Sequence, residues 1–524
     1  VYLQIWAILP QNLKHIYILF TGLIMLSSCS DSFVEVDSLD ENSEAFFNSE
    51  QDYQDALVAA YDYLQTTSRF VQWAEVASDN TLAGGESATD TPALQQIDDM
   101  IHSEVGQFGG GTLGQMWQWM YEAVNRCNYI MEFQNKIEDF PSKTSVIAQT
   151  RFLRAYYNFI LVNWWGDVPM LVDKRIQFGD QFNIDRIPRD DVYKLIEADL
   201  IFAAANLPYV QNETGRVTKG AAQGLLGKVY LYWAEQEWST NSGYTDEEKF
   251  TKSANVLEDL INNGPHRLLT TAEYPTLFER TNENNIESVF EIQYSDVDGG
   301  SYGCFQCLEG NYAAYFNGPR GFVDSTGFFD AGYSFNVPVQ DVVDAFEPGD
   351  IRLEYSILDI DQWIADHPGS SYDPSAGYEQ TGYFNRKIMA RKGDLNIGDA
   401  ALTNPDNYRA IRFADVLLMA AEALNRKQSS DDAKARTYLN RVRTRAALAD
   451  VITSGTNLEN DIFKERRVEL VGEGHRFFDL VRTGRAGTVL RAQGIPFMDN
   501  KNELFPIPLE EILLTGNRWT QNPG

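Results

Sequence analysis

The stretch Arg151–Pro169, RFLRAYYNFILVNWWGDVP, limits the fold more than any other part of the chain. It reads as a helix whose apolar groups run all the way round. A helix with no polar face must be packed on several sides, as in a stacked helical array. It stops at Gly166, and Pro169 follows shortly after. Its neighbours are legible on both sides. An amphipathic helix is expected from Ser49 to about Thr67, with Tyr53, Leu57, Ala60, Tyr61 and Leu64 on one face. Helices are expected at Leu113–Lys136, Lys143–Trp165, Arg189–Leu207, Lys219–Gln236 and Asp246–Asn263, the last ended by Gly264-Pro265. Gly220, Gly224 and Gly227 fall on one stretch of the Lys219–Gln236 helix, each weakening it by roughly 1 kcal/mol relative to alanine. Their expected return is close contact with a neighbouring helix. Pairs of roughly thirty to forty residues have the size of tetratricopeptide-type repeats, without a strict consensus.

From Asn284 the pattern changes. Ser288–Tyr294 alternates as a strand does, and an irregular tract rich in Gly, Asp, Tyr, Phe and Asn runs over 295–405. Helices are expected again at Tyr408–Arg426 and Asp431–Ala447. The stretch Asp461–Gly484, DIFKERRVELVGEGHRFFDLVRTG, then reads as two helices around a Gly472-Glu473-Gly474 break. Leu458, Ile462, Phe463 and Leu470 form an apolar stripe on the first, with Arg466 inside it. A cation there is costly unless carboxylates and hydrogen bonds meet it. Glu465, Glu469, Glu473 and Asp479 lie near enough in sequence to do so. An active site and a structural ion-pair network would both look like this; the network of Arg466, Glu469, Glu473 and Asp479 is the expectation taken.

A net charge of −32 opposes binding to nucleic acid, whose phosphates require a basic surface, and docking on anionic lipid. It suits a neutral ligand such as a sugar or peptide. Four cysteines are too few for a disulfide-built scaffold. No apolar run is long enough for an ordinary membrane span. At the start, Lys14-His15, the apolar run Ile16–Leu26 and Leu26-Ser27-Ser28-Cys29 describe a signal peptide. Its ending resembles a bacterial lipobox, which implies cleavage before Cys29 and a lipid anchor on its thiol. Asp31, Glu35, Asp37, Asp40 and Glu41 follow as a short acidic tether.

Catalytic signatures are missing. The five histidines make no HExxH, the glycines of 109–111 are not followed by Lys-Ser/Thr, and there is no G-x-S-x-G elbow. Carboxylate pairs for glycoside hydrolysis cannot be singled out among so many acids. Cys304-x-x-Cys307 has no second pair for zinc, and a local disulfide is the expectation in an exported chain. Asp296 and Asp298 are a weak candidate for structural calcium; no other cofactor is expected. Binding rests on aromatic rings in irregular segments, because sugars stack flat C–H faces on rings and offer hydroxyls to Asp, Asn, Gln or Arg. The candidates are Trp73, Asp79, Asn80 and Phe108 in one region. In the other they are Tyr302, Phe305, Tyr312, Tyr315, Tyr333, Trp363, Tyr372 and Tyr378.

Several blocks, in this order and spacing, resemble the SusD/RagB family of surface nutrient-binding lipoproteins from Bacteroidetes-type bacteria. They are the lipobox at Cys29, RFLRAYYNFILVNWWGDVPML (151–171), GRVTKGAAQGLLGKVYLYWA (215–234), YRAIRFADVLLMAAEALN (408–425), ARTYLNRVRTRA (435–446), ERRVELVGEGHRFFDLVRTG (465–484) and LFPIP with a closing QNPG. The resemblance implies a mainly α fold of tetratricopeptide-like helix pairs, with a large irregular portion and a few short strands. The expected layout is a signal peptide (1–28), a lipid-anchored tether (29–48), an N-terminal helical region (49–283) and a C-terminal region (284–524) with its insert at 295–405, packed as one body. It further implies a non-catalytic outer-membrane protein facing the cell exterior. Such a protein captures oligosaccharide and hands it to a SusC-like TonB-dependent barrel, touching the membrane only through its anchor. A surface glycoside hydrolase, a peptide binder and a purely protein-binding adaptor are the alternatives.

Overall fold

In a computed structural model of the chain, the described residues are 46–101, 113–177, 179–297, 301–393, 399 and 401–523. The expectations for the signal peptide, Cys29, Phe108 and Asp298 lie outside them, as does most of the tether.

The chain is mainly helical. Its principal helices are α1 (Glu50–Asp62), α2 (Thr67–Val76), α3 (Leu113–Glu132), α4 (Lys143–Trp165), α5 (Arg189–Asn206), α6 (Lys219–Trp233), α7 (Asp246–Asn263), α8 (Phe413–Arg426), α9 (Asp432–Arg445), α10 (Gly455–Glu469) and α11 (Arg476–Arg482). Helices α3 to α7 pack each against the next, α7 packs on α8, and α8 packs on α9 and α10. The all-round apolar helix α4 sits inside this array: from Phe152 to Trp165 only Ile160 and Asn163 are less than fully buried. Its one buried cation, Arg154, is met by Asp199 at 2.8 Å, Asp173 at 2.6 Å and Asn128 at 2.9 Å. Gly166 ends the helix at φ +74° and donates its N–H to Val162. The glycines of α6 let its neighbours close in: a Cβ at Gly227 would lie 2.4 Å from the Leu257 side chain of α7. One hydrophobic core runs from Phe47 to Trp519.

Two sequence expectations are corrected. Tyr408–Arg412 is a strand, not the first turn of a helix. It pairs antiparallel with Ser288–Ile292, Tyr408 opposite Ile292 and Arg412 opposite Ser288. Its side chains are tied into tertiary charges and core on both faces, which overrides the helical reading of the sequence. Secondly, α2 continues beyond the helix expected to end near Thr67, after a 3-10 turn at Tyr63–Thr66. All ten residues of α2 are buried, polar ones included, so no apolar stripe marked it. The irregular tract holds short strands. β1 (Thr81–Gly84) pairs antiparallel with β2 (Phe335–Pro338), and this pairing brings the loop after α2 against the tract. Gly84, at φ +67°, allows the approach: a Cβ there would lie 2.1 Å from the Ser334 carbonyl oxygen. Cys304 and Cys307 are joined in a disulfide.

The charged hairpin α10–α11 is buried. Arg466 meets Asp479 at 2.9 Å and Asp415 at 2.7 Å. Glu469 meets Arg445 at 2.6 Å, and Arg412 and Arg352 at 2.9 Å each. Glu473 meets Arg412 and Lys387, both at 2.7 Å. Burial alone would push these carboxyls up. Arg445, Arg412 and Arg352 instead hold Glu469 well below the usual range; Arg412 and Lys387 do the same in direction for Glu473, and Arg466 and Arg482 for Asp479. His475 is pushed down to about 4 by burial and by Lys228, whose ammonium donates to its Nδ1 at 2.9 Å.

Candidate functional site

The cavity that draws both aromatic regions together has a volume of about 400 Å³. Its floor is one face of α2. Arg69, Gln72 and Trp73 fall at i, i+3 and i+4 and project to the same side. The turn Glu86–Leu94 forms one wall, with Glu86, Asp90, Thr91 and Leu94. The irregular tract forms the other, with Tyr302, Phe305, Phe316, Arg320, Tyr333 and Phe335. The rings brace one another. Tyr302 and Tyr333 share a hydrogen bond between hydroxyls at 3.0 Å. Tyr333 meets Tyr315 and Phe316 edge-on at 4.9 and 5.4 Å, and Phe316 stacks on Phe335 at 5.5 Å. The Cys304–Cys307 disulfide closes the turn that carries Phe305. Partial burial and the Tyr333 hydroxyl hold the Tyr302 phenol above its ordinary range, so it stays protonated at neutral pH.

The expected binding residues divide into groups. Trp73, Tyr302, Phe305 and Tyr333 line the cavity together. Of these, Trp73 is only 1% exposed and Tyr302 is 46% exposed, so the rings open to a ligand are on the tract wall. Tyr315 backs Tyr333, and Tyr312 is buried behind Phe305 at 5.0 Å. Asp79 and Asn80 are not on the cavity. Asp79 is bound by Arg476 at 2.7 Å and Arg467 at 3.0 Å, and Asn80 accepts from Arg467 at 2.9 Å; both extend the buried charge network. Trp363 and Tyr372 belong to a separate small core with Phe329 and Phe384, where Trp363 donates to Asp324 at 3.1 Å. Tyr378 binds the Gly85 carbonyl through its backbone N–H. Arg69, Gln72, Glu86, Asp90 and Arg320 were not anticipated. The i, i+3, i+4 spacing of Arg69 and Gln72 with Trp73 groups two of them once 67–76 is read as helix.

Among the described residues no group of three or more His, Cys, Asp or Glu is arranged to hold a metal, and no helix is long and apolar enough to cross a membrane. The cavity therefore offers stacking surfaces, two guanidiniums and two rim carboxylates, with Arg320 loosely placed 3.6 Å from Glu86 and 3.9 Å from Asp90.

The fold has known counterparts. Residues 273–524 match the model of the SusD family, and residues 32–231 match one described as starch-binding, associating with outer membrane. A solved laminarin-binding SusD-like protein superposes with a TM-score of 0.79 and 31% identity, over 91% of this chain and all of that one. The chain belongs to the SusD family. Surface glycan-binding protein A of Bacteroides thetaiotaomicron, solved in complex with laminarihexaose, superposes with a TM-score of 0.77 at 25% identity, over 91% of this chain and 100% of that one. SusD-like protein P2 of Formosa agariphila is 28% identical across 96% of this chain and 98% of its own length. The second matched model is described as associating with the outer membrane, and the solved relatives are named as laminarin- or glycan-binding proteins. The helical array is consistent with membership of the SusD family.

Proposed function

We propose that this protein is a non-catalytic, lipid-anchored surface protein. It captures an oligosaccharide in the cavity between α2 and the irregular tract, then delivers it to a SusC-like TonB-dependent barrel. The observation that carries the reading is the tract wall of Tyr302, Phe305 and Tyr333 facing the polar face of α2. Rings bind the C–H faces of a pyranose, while Gln72, Glu86 and Asp90 supply partners for hydroxyls. The relative named as laminarin-binding and the one solved in complex with laminarihexaose make laminarin oligosaccharides the first ligands to test. Asp79, Asn80, Trp363 and Tyr372 act in this reading as supports of the two walls and not as contacts.

Affinity electrophoresis against laminarin, starch and a wider polysaccharide panel tests capture. Retention by at least one polymer is expected, and Tyr333→Ala should weaken it. Product release from a retained polymer, lost on changing Glu86 or Asp90, would replace the reading with glycoside hydrolysis. Co-purification of a barrel with the intact chain, and loss of surface attachment in Cys29→Ala, test delivery and anchoring.

A further inference from the structure

Arg69 is not explained by recognition of a neutral sugar. It is 7% exposed, and its guanidinium lies 4.5 Å from the centre of the Phe305 ring, with Trp73, Trp119 and Tyr312 at 5.6, 5.9 and 5.9 Å. Among the described residues no carboxylate lies within ion-pair distance of it, and its Nε has no acceptor. This is unlike the rest of the interior, where Arg154, Arg352, Arg412, Arg445, Arg466 and Arg482 are all paired with acids. Aromatic faces stabilise a cation but do not neutralise it. A buried cation calls for a counter-charge.

Two more donors at the same cavity are also without an acceptor: Gln72 Nε2, one turn along α2, and Arg320 Nε on the opposite wall. Arg320 donates to the Tyr333 carbonyl at 3.3 Å, but its nearest carboxylates are the distant Glu86 and Asp90, and the Glu86 side chain is 71% exposed. Three residues with orphan donors, among them the unpaired Arg69, therefore line one cavity in a chain whose net charge is −32. A sugar hydroxyl brings a donor along with its acceptor oxygen and carries no charge. A carboxylate or sulfate brings acceptors alone, and a charge.

We infer that the cavity takes a saccharide bearing an anionic group, a uronate carboxylate or a sulfate ester, received between Arg69 and Arg320. The inference rests on the glycan-capture reading and names the class of glycan. The long-range field of the chain opposes an extended polyanion, so recognition is of a local group.

Calorimetry in about 0.15 M salt, where charges beyond roughly 8 Å are screened, tests it with short probes. These are an oligogalacturonide and its carboxyl-reduced form, a carrageenan tetrasaccharide and its desulfated form, and laminarihexaose. One anionic probe is expected to bind at least tenfold tighter than its own neutral form, and which pair responds identifies carboxylate or sulfate. Arg69→Gln and Arg320→Gln should each erase that preference. Arg320 is partly exposed, so its variant keeps the test valid should Arg69→Gln unfold. Equal affinity within both pairs, or a preference that survives in both variants, overturns the inference. Binding of laminarihexaose alone overturns it while leaving glycan capture intact. Silence from every probe, together with no retention by any polysaccharide in electrophoresis, defeats the capture reading itself.

Discussion

Arg466→Ala separates the structural reading of the charged hairpin from a binding one. The side chain is 1% exposed and bridges Asp415 on α8 to Asp479 on α11. Its removal leaves two buried carboxylates short of a partner. Neither is stranded: Asp415 keeps Lys228 at 3.6 Å, and Asp479 keeps Arg482 at 2.7 Å. Breaking a buried ion pair costs about 3–5 kcal/mol when the surviving charge is uncompensated. The surviving partners put this loss at the lower end, about 3 kcal/mol. Unfolding entropy of about 2 cal/mol/K per residue makes each kcal/mol worth about 1 °C in a chain of this length, so Tm should fall by about 3 °C. Urea unfolding should show the same loss as a lower midpoint at constant slope. Arg466 lines no part of the cavity between α2 and the tract, so retention in polysaccharide gels at 20 °C should be unchanged. A variant with wild-type Tm and urea midpoint but no glycan retention would refute the reasoning, and Arg466 would then belong to a binding site.

Four further outcomes follow from the geometry. His475 is neutral in the fold, its pKa depressed to about 4 against an ordinary 6.5; its contribution is complete above pH 6.5 and is lost as pH falls towards 4, and removing it in His475→Gln should flatten that loss by about 3 kcal/mol in urea titrations. Glu75 behaves in the opposite sense: burial raises its carboxyl from 4.5 to about 7, so stability is present below pH 4.5 and lost as pH rises through 7. Glu75→Gln, which can still accept from the Gly474 N–H, should gain on wild type by on the order of 3 kcal/mol between pH 4.5 and 8. Tyr333→Ala should weaken glycan binding about tenfold, the worth of one stacked ring, while shifting Tm little; a normal affinity would remove Tyr333 from the site. Gly474 and Gly484 both have φ above zero, but a Cβ at Gly474 would press on the Val71 backbone at 3.0 Å while one at Gly484 meets open space. Both alanine variants should lose about 1 kcal/mol to backbone strain, and Gly474→Ala should lose a further 1–3 kcal/mol to overpacking, read from urea midpoints.

What the sequence made legible was whatever local periodicity controls. Helix α4 announces itself because its apolar residues run all the way round, and α7 because Gly264-Pro265 marks its end. Helix α2 was lost for the converse reason. Ser68, Arg69, Gln72 and Glu75 are buried there by tertiary partners, so its composition resembles a loop. The strand Tyr408–Arg412 carries residues that read equally well as the opening of α8, and only its pairing with Ser288–Ile292 decides.

The same limit applies to the site. Tyr302, Phe305 and Tyr333 were recoverable as aromatics in an irregular tract, because such rings are costly to expose without a use. Asp79 and Asn80 have the same side-chain chemistry as a sugar contact. What withdraws them from the cavity is Arg467 and Arg476, nearly four hundred residues away in sequence. Arg69 presents the reverse case. Its neighbours in sequence say nothing of an unmet charge, and the deficit exists only because the β1–β2 pairing seats the tract against α2 and closes aromatic rings around it. Scaffold and recognition are thus joined at one helix. Glu75, at the end of α2, accepts from the hairpin at Gly474, while Arg69, Gln72 and Trp73 face the cavity from its middle. A stable hairpin therefore fixes the register of the cavity floor without touching a ligand, and the walls are free to vary in sequence as long as that floor is held.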